Sequence, residues 1–283
     1  MQTFVTRDEI SHWRKQLSQD QKSLGFVPTM GALHAGHLSL VKKASKENDI
    51  VLVSIFVNPK QFNQQADLQS YPRMLEADIA LLSALSNVVI FAPNEAEMYP
   101  SGLAFEPMQL GEIGTVLEGA KRPGHFDGVV HVVHHLFALI APDRAYFGEK
   151  DFQQLAVIRK LNAHYQFGIE IVACPTKRDP DGLAMSSRNL RLSAQERNKA
   201  LSIFKALTFI KENAGKEPIE TMRHRGILII EEAGLLLDYF EIVNPHTLKT
   251  CADWQAEQLC CVAAFCGEVR LIDNMLCESV KLP

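Results

Sequence analysis

Apolar positions recur along this chain with two different periods, and the switches between them predict its elements. Over residues 7–22 the apolar Ile10, Trp13 and Leu17 lie three and four apart, the spacing of one helical face. Residues 24–27 are a short apolar run bounded by Gly25, and residues 38–44 return to helical spacing. Residues 49–57 are nearly all apolar, as a parallel strand covered on both faces requires. Tyr71, Pro72 and Arg73 open a helix predicted to reach about residue 85, with Pro in its first turn. A buried strand follows at 88–92. Residues 127–141 read as an apolar helix, 144–147 as a strand, 152–164 as a helix and 168–174 as a strand. Alternating β and α segments predict a doubly wound parallel sheet.

The pattern changes at Thr176-Lys177-Arg178-Asp179-Pro180-Asp181-Gly182, which is turn chemistry and a domain junction. Beyond it come helices over 193–212, capped by Ser193, and over 217–233, then strands near 239–243, 259–265 and 269–273. These contain no βαβ unit, which predicts a small α+β domain. The expected fold is therefore α/β: a Rossmann-like doubly wound domain over 1–176, and a smaller C-terminal α+β lid domain over 177–283. Residues 93–125, with Pro93, Pro100, Pro107 and Pro123, read as irregular. Loops of that length in compact domains are usually functional or mobile, and residues 118–128 are the candidate cover over a bound anion, or else an ordinary basic surface loop.

Composition narrows the function classes. Hydrophobic content of 47% and charged content of 22% are those of a globular protein in water. A formal charge of −4 leaves no electrostatic footprint for nucleic acid. Apolar runs such as 88–92 are too short to span a bilayer, and residues 1–7 show no secretory pattern. Cys174, Cys251, Cys260, Cys261, Cys266 and Cys277 form no CxxC pair, so a reducing cytoplasm is expected.

The candidate chemistry starts in the loop between the strand at 24–27 and the helix at 38–44. Helix N-termini offer unpaired N–H groups and a positive dipole end to anions such as phosphate. Gly31 and Gly36 remove side chains where a ligand would otherwise clash. His34 and His37, three apart, project to one side of an opening helix; a tight turn with one capping histidine is the competing reading. Asn58 and Gln61 follow the carboxyl end of a parallel strand, where ligands bind in such sheets, although a solvated proline turn has the same residues. Lys150 opens a helix, a poor place for a cation unless a polyphosphate binds there. No GxGxxG accompanies the first strand, so a dinucleotide site is not expected. Ser186, Ser187 and Arg188 are a phosphate-binding trio or a polar linker. His131, His134 and His135 share a helical face, but Val132 follows where an HExxH site has Glu, so a half-buried helix face is expected and metal ligands are unassigned.

Taken together the motifs resemble the pantothenate synthetase (pantoate–β-alanine ligase) family of the HxGH nucleotidyltransferase-like superfamily. The matching runs are PTMGALHAGHLSL at 28–40, SIFVNPKQF at 54–62, YPR at 71–73, RPGHFDGV at 122–129, PDRAYFGEKDFQQL at 142–155, DPDGLAMSSRN at 179–189 and RLIDN at 270–274. The resemblance implies a two-step ligation. Pantoate's carboxylate attacks the α-phosphorus of ATP to give pantoyl adenylate and pyrophosphate, and the amine of β-alanine then releases AMP and forms pantothenate. It also implies Mg²⁺ with ATP, no tightly bound organic cofactor, and a homodimer built through the N-terminal domain. By the same resemblance ATP contacts Met30, Gly31, Ala32, Leu33, His34, Ala35, Gly36 and His37, then Gly148, Glu149, Lys150, Asp151 and Lys177, and finally Met185, Ser186, Ser187 and Arg188. His37, at the family's proton-donor position, acts with His34, Lys150 and Arg188 as the catalytic set. Gln61 and Gln154 clamp pantoate, with Gln61 also near β-alanine. Two departures stand out: His131 and His135 occupy positions where the family pattern has Thr and Lys, and Lys177 stands where a hydrophobic residue is common. A nucleotidyltransferase acting on a phosphorylated acceptor would share the HxGH loop but has no use for the paired glutamines.

Overall fold

A computed structural model describes residues 1–278. In chain order its elements are β1 (Thr3–Phe4), α1 (Arg7–Gln19), β2 (Leu24–Thr29), α2 (Ala35–Glu47), β3 (Ile50–Ile55), α3 (Gln65–Ser70), α4 (Leu75–Leu82), β4 (Val88–Phe91), α5 (Glu95–Met98), α6 (Leu117–Lys121), α7 (His125–Ile140), β5 (Arg144–Gly148), α8 (Phe152–His164), β6 (Glu170–Cys174), α9 (Ala194–Asn213), α10 (Ile219–Glu232), β7 (Leu236–Val243), β8 (Glu257–Cys266) and β9 (Val269–Glu278). They fall into two compact units. The first comprises residues 1–114, 122–149 and 154–175; the second comprises 115–121, 150–153 and 176–283.

The first unit is a six-stranded parallel sheet in the order β1-β4-β3-β2-β5-β6. Side chains alternate across its strands, so each strand feeds two cores. Phe26, Leu52, Phe91, Phe137 and Leu161 pack on one face, while Val27, Val51, Val53, Ile90, Val41 and Leu82 pack on the other. Burial on both faces is why β2 and β3 read as continuous apolar runs. From β2 the chain winds outward through β3 and β4, then returns to add β5 and β6 on the opposite side of β2. The order therefore reverses between β2 and β5, and the crevice beyond the carboxyl ends of such a pair is where open α/β sheets bind ligands. The loops after β2 and after β5 leave the sheet at that point.

The second unit carries the antiparallel sheet β7-β8-β9. Its core joins Ile203, Leu207 and Ile210 of α9 and Met222 and Ile230 of α10 to Phe240, Val262 and Ala264 of the sheet. No helix among the described residues is long and apolar enough to cross a membrane.

The observed elements depart from the expected ones where local chemistry overrides periodicity. The helix expected from Tyr71 to about 85 is shorter: only α4 lies within it, starting at Leu75, and the separate helix α3 ends at Ser70 just before it. Pro72 excludes the helical region for the residue before it, and Tyr71 is extended at φ −68°, ψ 125°. β1 has only two residues, too few to show a period. The stretch expected to be irregular at 93–125 holds α5, α6 and a 3₁₀ turn at Gly111–Gly114. Nor is the candidate cover at 118–128 one loop: it runs from α6 through a short turn into α7.

Candidate functional site

β2 ends at Thr29, and the next five residues turn the chain into α2. Thr29 Oγ1 donates to Ser54 O (2.7 Å) and accepts from Gly31 N (3.2 Å), tying the start of the turn to β3. Gly31 then sits at φ +80° and Ala32 at φ +49°. Left-handed backbone at an alanine costs energy and persists only where its surroundings hold it. Asp78 of α4 supplies the hold, one carboxylate oxygen accepting from Ala32 N (2.9 Å) and the other from Leu33 N (2.7 Å). Burial pushes the Asp78 carboxyl up from its ordinary range, opposed by the two N–H groups. A side chain at Gly31 would meet Asp78 Oδ2 at 3.0 Å, so the glycine is needed for space as well as for its φ.

His34 is the N-cap of α2. Its Nδ1 accepts from Gly36 N (3.1 Å), and its own backbone N donates to His37 Nδ1 (3.4 Å). The two ring centroids are 4.1 Å apart. Both Nδ1 atoms thus serve the backbone, and in the neutral tautomers each ring carries its proton on Nε2 as a donor. With the N–H groups of the first turn, this gives a donor-rich N-terminus to a thirteen-residue helix, the kind of place where anions are favoured.

The turn after β3 lies beside it. Asn58 Oδ1 accepts from Lys60 N (3.2 Å), and Asn58 Nδ2 donates to Gly128 O (3.0 Å) and to Gln61 Oε1 (3.1 Å). Gln61 Nε2 is 3.1 Å from Met30 Sδ, the first residue of the histidine loop. His125 Nδ1 donates to Gln61 O (2.8 Å), which leaves its Nε2 to accept from Arg122 (3.2 Å). α7 approaches this turn so closely that a Cβ at Gly128 would lie 2.2 Å from Lys60 O. Asn58 and Gln61 are buried, so the solvated proline turn that the sequence left open is not what forms.

Gly148 ends β5, and Glu149, Lys150 and Asp151 form a 3₁₀ turn leading into α8. Gln154 stands half-buried on the first turn of α8, in the first unit with Gln61. Lys150 has a side chain mostly shielded from solvent and lies 3.7 Å from Asp151. Its carbonyl accepts from Asn274 Nδ2 of the RLIDN run (2.8 Å), a bond within the second unit, to which Lys150 itself belongs.

Within the second unit, Met185 N donates to Lys177 O (3.0 Å), which pairs two of the expected nucleotide contacts across a narrow hairpin. Lys177 is exposed, so its backbone serves the hairpin while its side chain faces solvent. Ser186 caps the 3₁₀ turn Ser187–Arg191, its Oγ accepting from Arg188 N (3.3 Å). Arg178 grips buried Asp273 with two hydrogen bonds, at 2.5 and 3.0 Å, and fixes this hairpin on β9.

Three groups escaped the sequence reading. Asp78, in an amphipathic helix, has the pattern of a solvated acid. Tyr99 donates to Asn58 Oδ1 (2.7 Å) across 41 positions of chain, and no local spacing signals that. Glu118, read as part of a basic cover, is buried and takes a bidentate grip from Arg270 (2.8 and 2.8 Å), with Tyr239 donating as well (2.9 Å). The α7 histidines form the expected half-buried face. His131 stacks on Phe105 at 4.1 Å, His134 packs edge-on to Tyr165 at 4.4 Å, and His135 is buried. Burial, helped by neighbouring Lys60 and His134, lowers His131 to about 4; burial first, then His131 and His134, lowers His135 to about 4. Among the described residues no cluster of three or more His, Cys, Asp or Glu side chains could hold a metal.

An open parallel sheet with a histidine-capped helix at its switch point, followed by an α+β unit bearing a Ser-Ser-Arg turn, defines the class: a doubly wound α/β protein with a second, smaller unit. Residues 2–276 match the family model of pantoate-beta-alanine ligase, and the chain belongs to that family. It is 49% identical to the pantothenate synthetase of Phocaeicola vulgatus over 97% of this chain and 99% of that protein. The crystal structure of pantothenate synthetase from Thermus thermophilus superposes with a TM-score of 0.91 at 44% identity, covering 97% of this chain and 99% of that one. The Francisella tularensis pantoate-beta-alanine ligase, solved with beta-gamma ATP and beta-alanine, gives a TM-score of 0.82 at 38% identity over 98% and 97% of the two chains.

Proposed function

We propose that the protein condenses pantoate with β-alanine at the expense of ATP, forming pantothenate, AMP and pyrophosphate through a pantoyl adenylate. One observation carries the reading beyond family membership: the donor end of Gln61 lies 3.1 Å from Met30, so a candidate clamp for the acid abuts the candidate nucleotide loop. Attack of a carboxylate on the α-phosphorus needs the two reactants held in line and charge on the phosphate oxygens met by fixed donors. His34, His37 and the N–H groups of α2 are such donors, and Lys150, Ser186, Ser187 and Arg188 complete the proposed set. In the second step the amine attacks the acyl carbon, the bond from that carbon to the phosphate oxygen breaks and AMP leaves; His37 takes the proton shed by the amine and passes it to the departing phosphate. Residues 1–176 bind nucleotide and pantoate in this reading, and 177–283 act as the lid.

Mg²⁺ enters as part of the ATP complex. The chain needs no carboxylate cluster for that role, because Mg²⁺ is usually held by substrate phosphates and water with one or two carboxylates and needs no dedicated protein cage. The proposed homodimer forms through the N-terminal unit, where the edge strand β6 leaves Ile171, Val172 and Ala173 half-exposed; light scattering on the purified protein tests it. The proposed compartment is the cytoplasm, in keeping with six free, buried cysteines.

The product assay is direct. With ATP, Mg²⁺ and pantoate, pyrophosphate forms; on adding β-alanine, AMP and pantothenate appear together. AMP release that ignores β-alanine would count against the ligase reading. In the same assay Gln154→Ala raises the KM for pantoate about tenfold or more while that for ATP moves less, as loss of a substrate hydrogen bond requires. Equal rises would assign Gln154 to structure.

A further inference from the structure

We infer that Tyr99 is a positioning residue for the reaction, setting through Asn58 which end of the Gln61 amide faces substrate. The inference rests on the reading above in one respect, that Gln61 contacts pantoate.

The orientation of both amides follows from partners whose chemistry is unambiguous. Lys60 N can only donate and Gly128 O can only accept. Asn58 must therefore turn Oδ1 to Lys60 and Nδ2 to Gly128. The same Nδ2 reaches Gln61 Oε1, so Gln61 is obliged to spend its oxygen inward and to present its NH₂ toward Met30 and the histidine loop. A donor at that position serves oxygen acceptors, such as the hydroxyl and carboxylate oxygens of a hydroxy acid. Tyr99 supplies the remaining restraint. Its hydroxyl donates to Asn58 Oδ1, saturating the acceptor and holding the amide plane against rotation. Burial first, and then Glu95, pushes the Tyr99 phenol far above its ordinary range, so its proton stays available to donate.

The ring is held as firmly as the hydroxyl. Lys60 Nζ stands 3.9 Å over its centroid, and the rings of His131, His135 and Phe56 meet it edge-on at 4.8, 5.8 and 6.2 Å. His131 and His135 lie one turn apart on α7. Here they form an aromatic wall behind Tyr99: His131 and His135 hold Tyr99, Tyr99 holds Asn58, and Asn58 orients Gln61.

A double-mutant cycle on the full-length protein tests this, with steady-state constants for pantoate and ATP measured separately. Tyr99→Phe keeps the ring and removes one hydrogen bond; its pantoate KM rises about three- to tenfold, the worth of one neutral hydrogen bond, while the ATP KM stays within about twofold. In a Gln61→Ala background the same substitution adds less than about twofold, because the group it orients is gone. Full additivity of the two changes, or an unchanged pantoate KM in Tyr99→Phe, overturns the inference. Gln61→Ala alone separates the two readings. If it leaves the pantoate KM unchanged, Gln61 is no substrate contact and the reading beneath fails; if it raises it and Tyr99→Phe does not, only the relay fails. Thermal melts of each variant accompany the kinetics, and Asn58→Ala, which cuts the same relay at its next member, repeats the cycle should Tyr99→Phe melt early.

Discussion

The two units hold their buried polar groups by opposite means. In the first, the turn around Gln61 is a chain of neutral dipoles: Tyr99 hydroxyl, Asn58 amide, Gln61 amide and the Gly128 carbonyl. In the second, Arg270 binds Glu118 and Asp238 together (2.8 Å each), Lys121 joins Asp238 (3.1 Å), and Arg178 grips Asp273. Neutral dipoles cost less to bury and are directional, so they can present a chosen donor without imposing a charge on the substrate. Buried ion pairs orient less finely, but losing one partner strands an uncompensated charge. The difference teaches where function and stability reside: substitutions in the dipole chain should appear in kinetic constants, and substitutions in the ion-pair clusters should appear in folding.

The largest expected effect tests the second half of that contrast. Arg270→Met leaves Glu118 and Asp238 facing each other, and the free energy of unfolding falls by about 3–5 kcal/mol, read from denaturant midpoints. A loss under about 1 kcal/mol would erase the distinction. Next come His37→Ala and Lys150→Ala, each lowering the adenylation rate about 10²–10³-fold, the usual worth of one fixed donor, with the melting temperature nearly unchanged. Near-normal adenylation in both would remove the nucleotide loop from the mechanism.

Asp78 sharpens the comparison because it is a buried charge inside the neutral unit, satisfied by N–H groups of the loop. Asp78→Asn replaces one acceptor oxygen by an NH₂ pointing at a backbone N–H. The KM for ATP rises about tenfold, while the KM for pantoate changes less, as the loss of one charge-assisted hydrogen bond predicts.

The smallest effect is on pH dependence. His131 and His135 stay neutral in the fold down to about pH 4, whereas free imidazoles take protons near 6.5. The unfolded chain therefore binds more protons between those values, and stability, full above about pH 6.5, is lost as the pH falls toward 4. The melting temperature drops by about 5 °C over that span, and His131→Thr reduces the drop. A melting temperature flat from about pH 7 to 4.5 would show that the histidine face is open to water.

Legibility tracked the distance along the chain over which each interaction acts. The parallel strands were readable because burial on both faces leaves continuous apolar runs, as in Val51-Leu52-Val53. The histidine loop was readable because His34, Gly36 and His37 interact within one turn. The break at Tyr71–Pro72 was there to be read, since Pro constrains the residue before it. Asp78 was not, because an acid on an amphipathic helix looks the same whether it meets solvent or two N–H groups 46 and 45 positions away.

By itself, then, the sequence determined the α/β class, the order of elements, the histidine-bearing turn between β2 and α2 and the motif set of its family, all of them products of local periodicity and short-range spacing. Only the tertiary structure decided that Gln61 presents its NH₂, that Asp78 carries a strained loop, that Glu118 is an anchor and that His131 and His135 stand against Tyr99. Those outcomes depend on which polar group meets which in a buried space, and a hydrogen-bond partner brought from a distant part of the chain leaves no periodic trace in it.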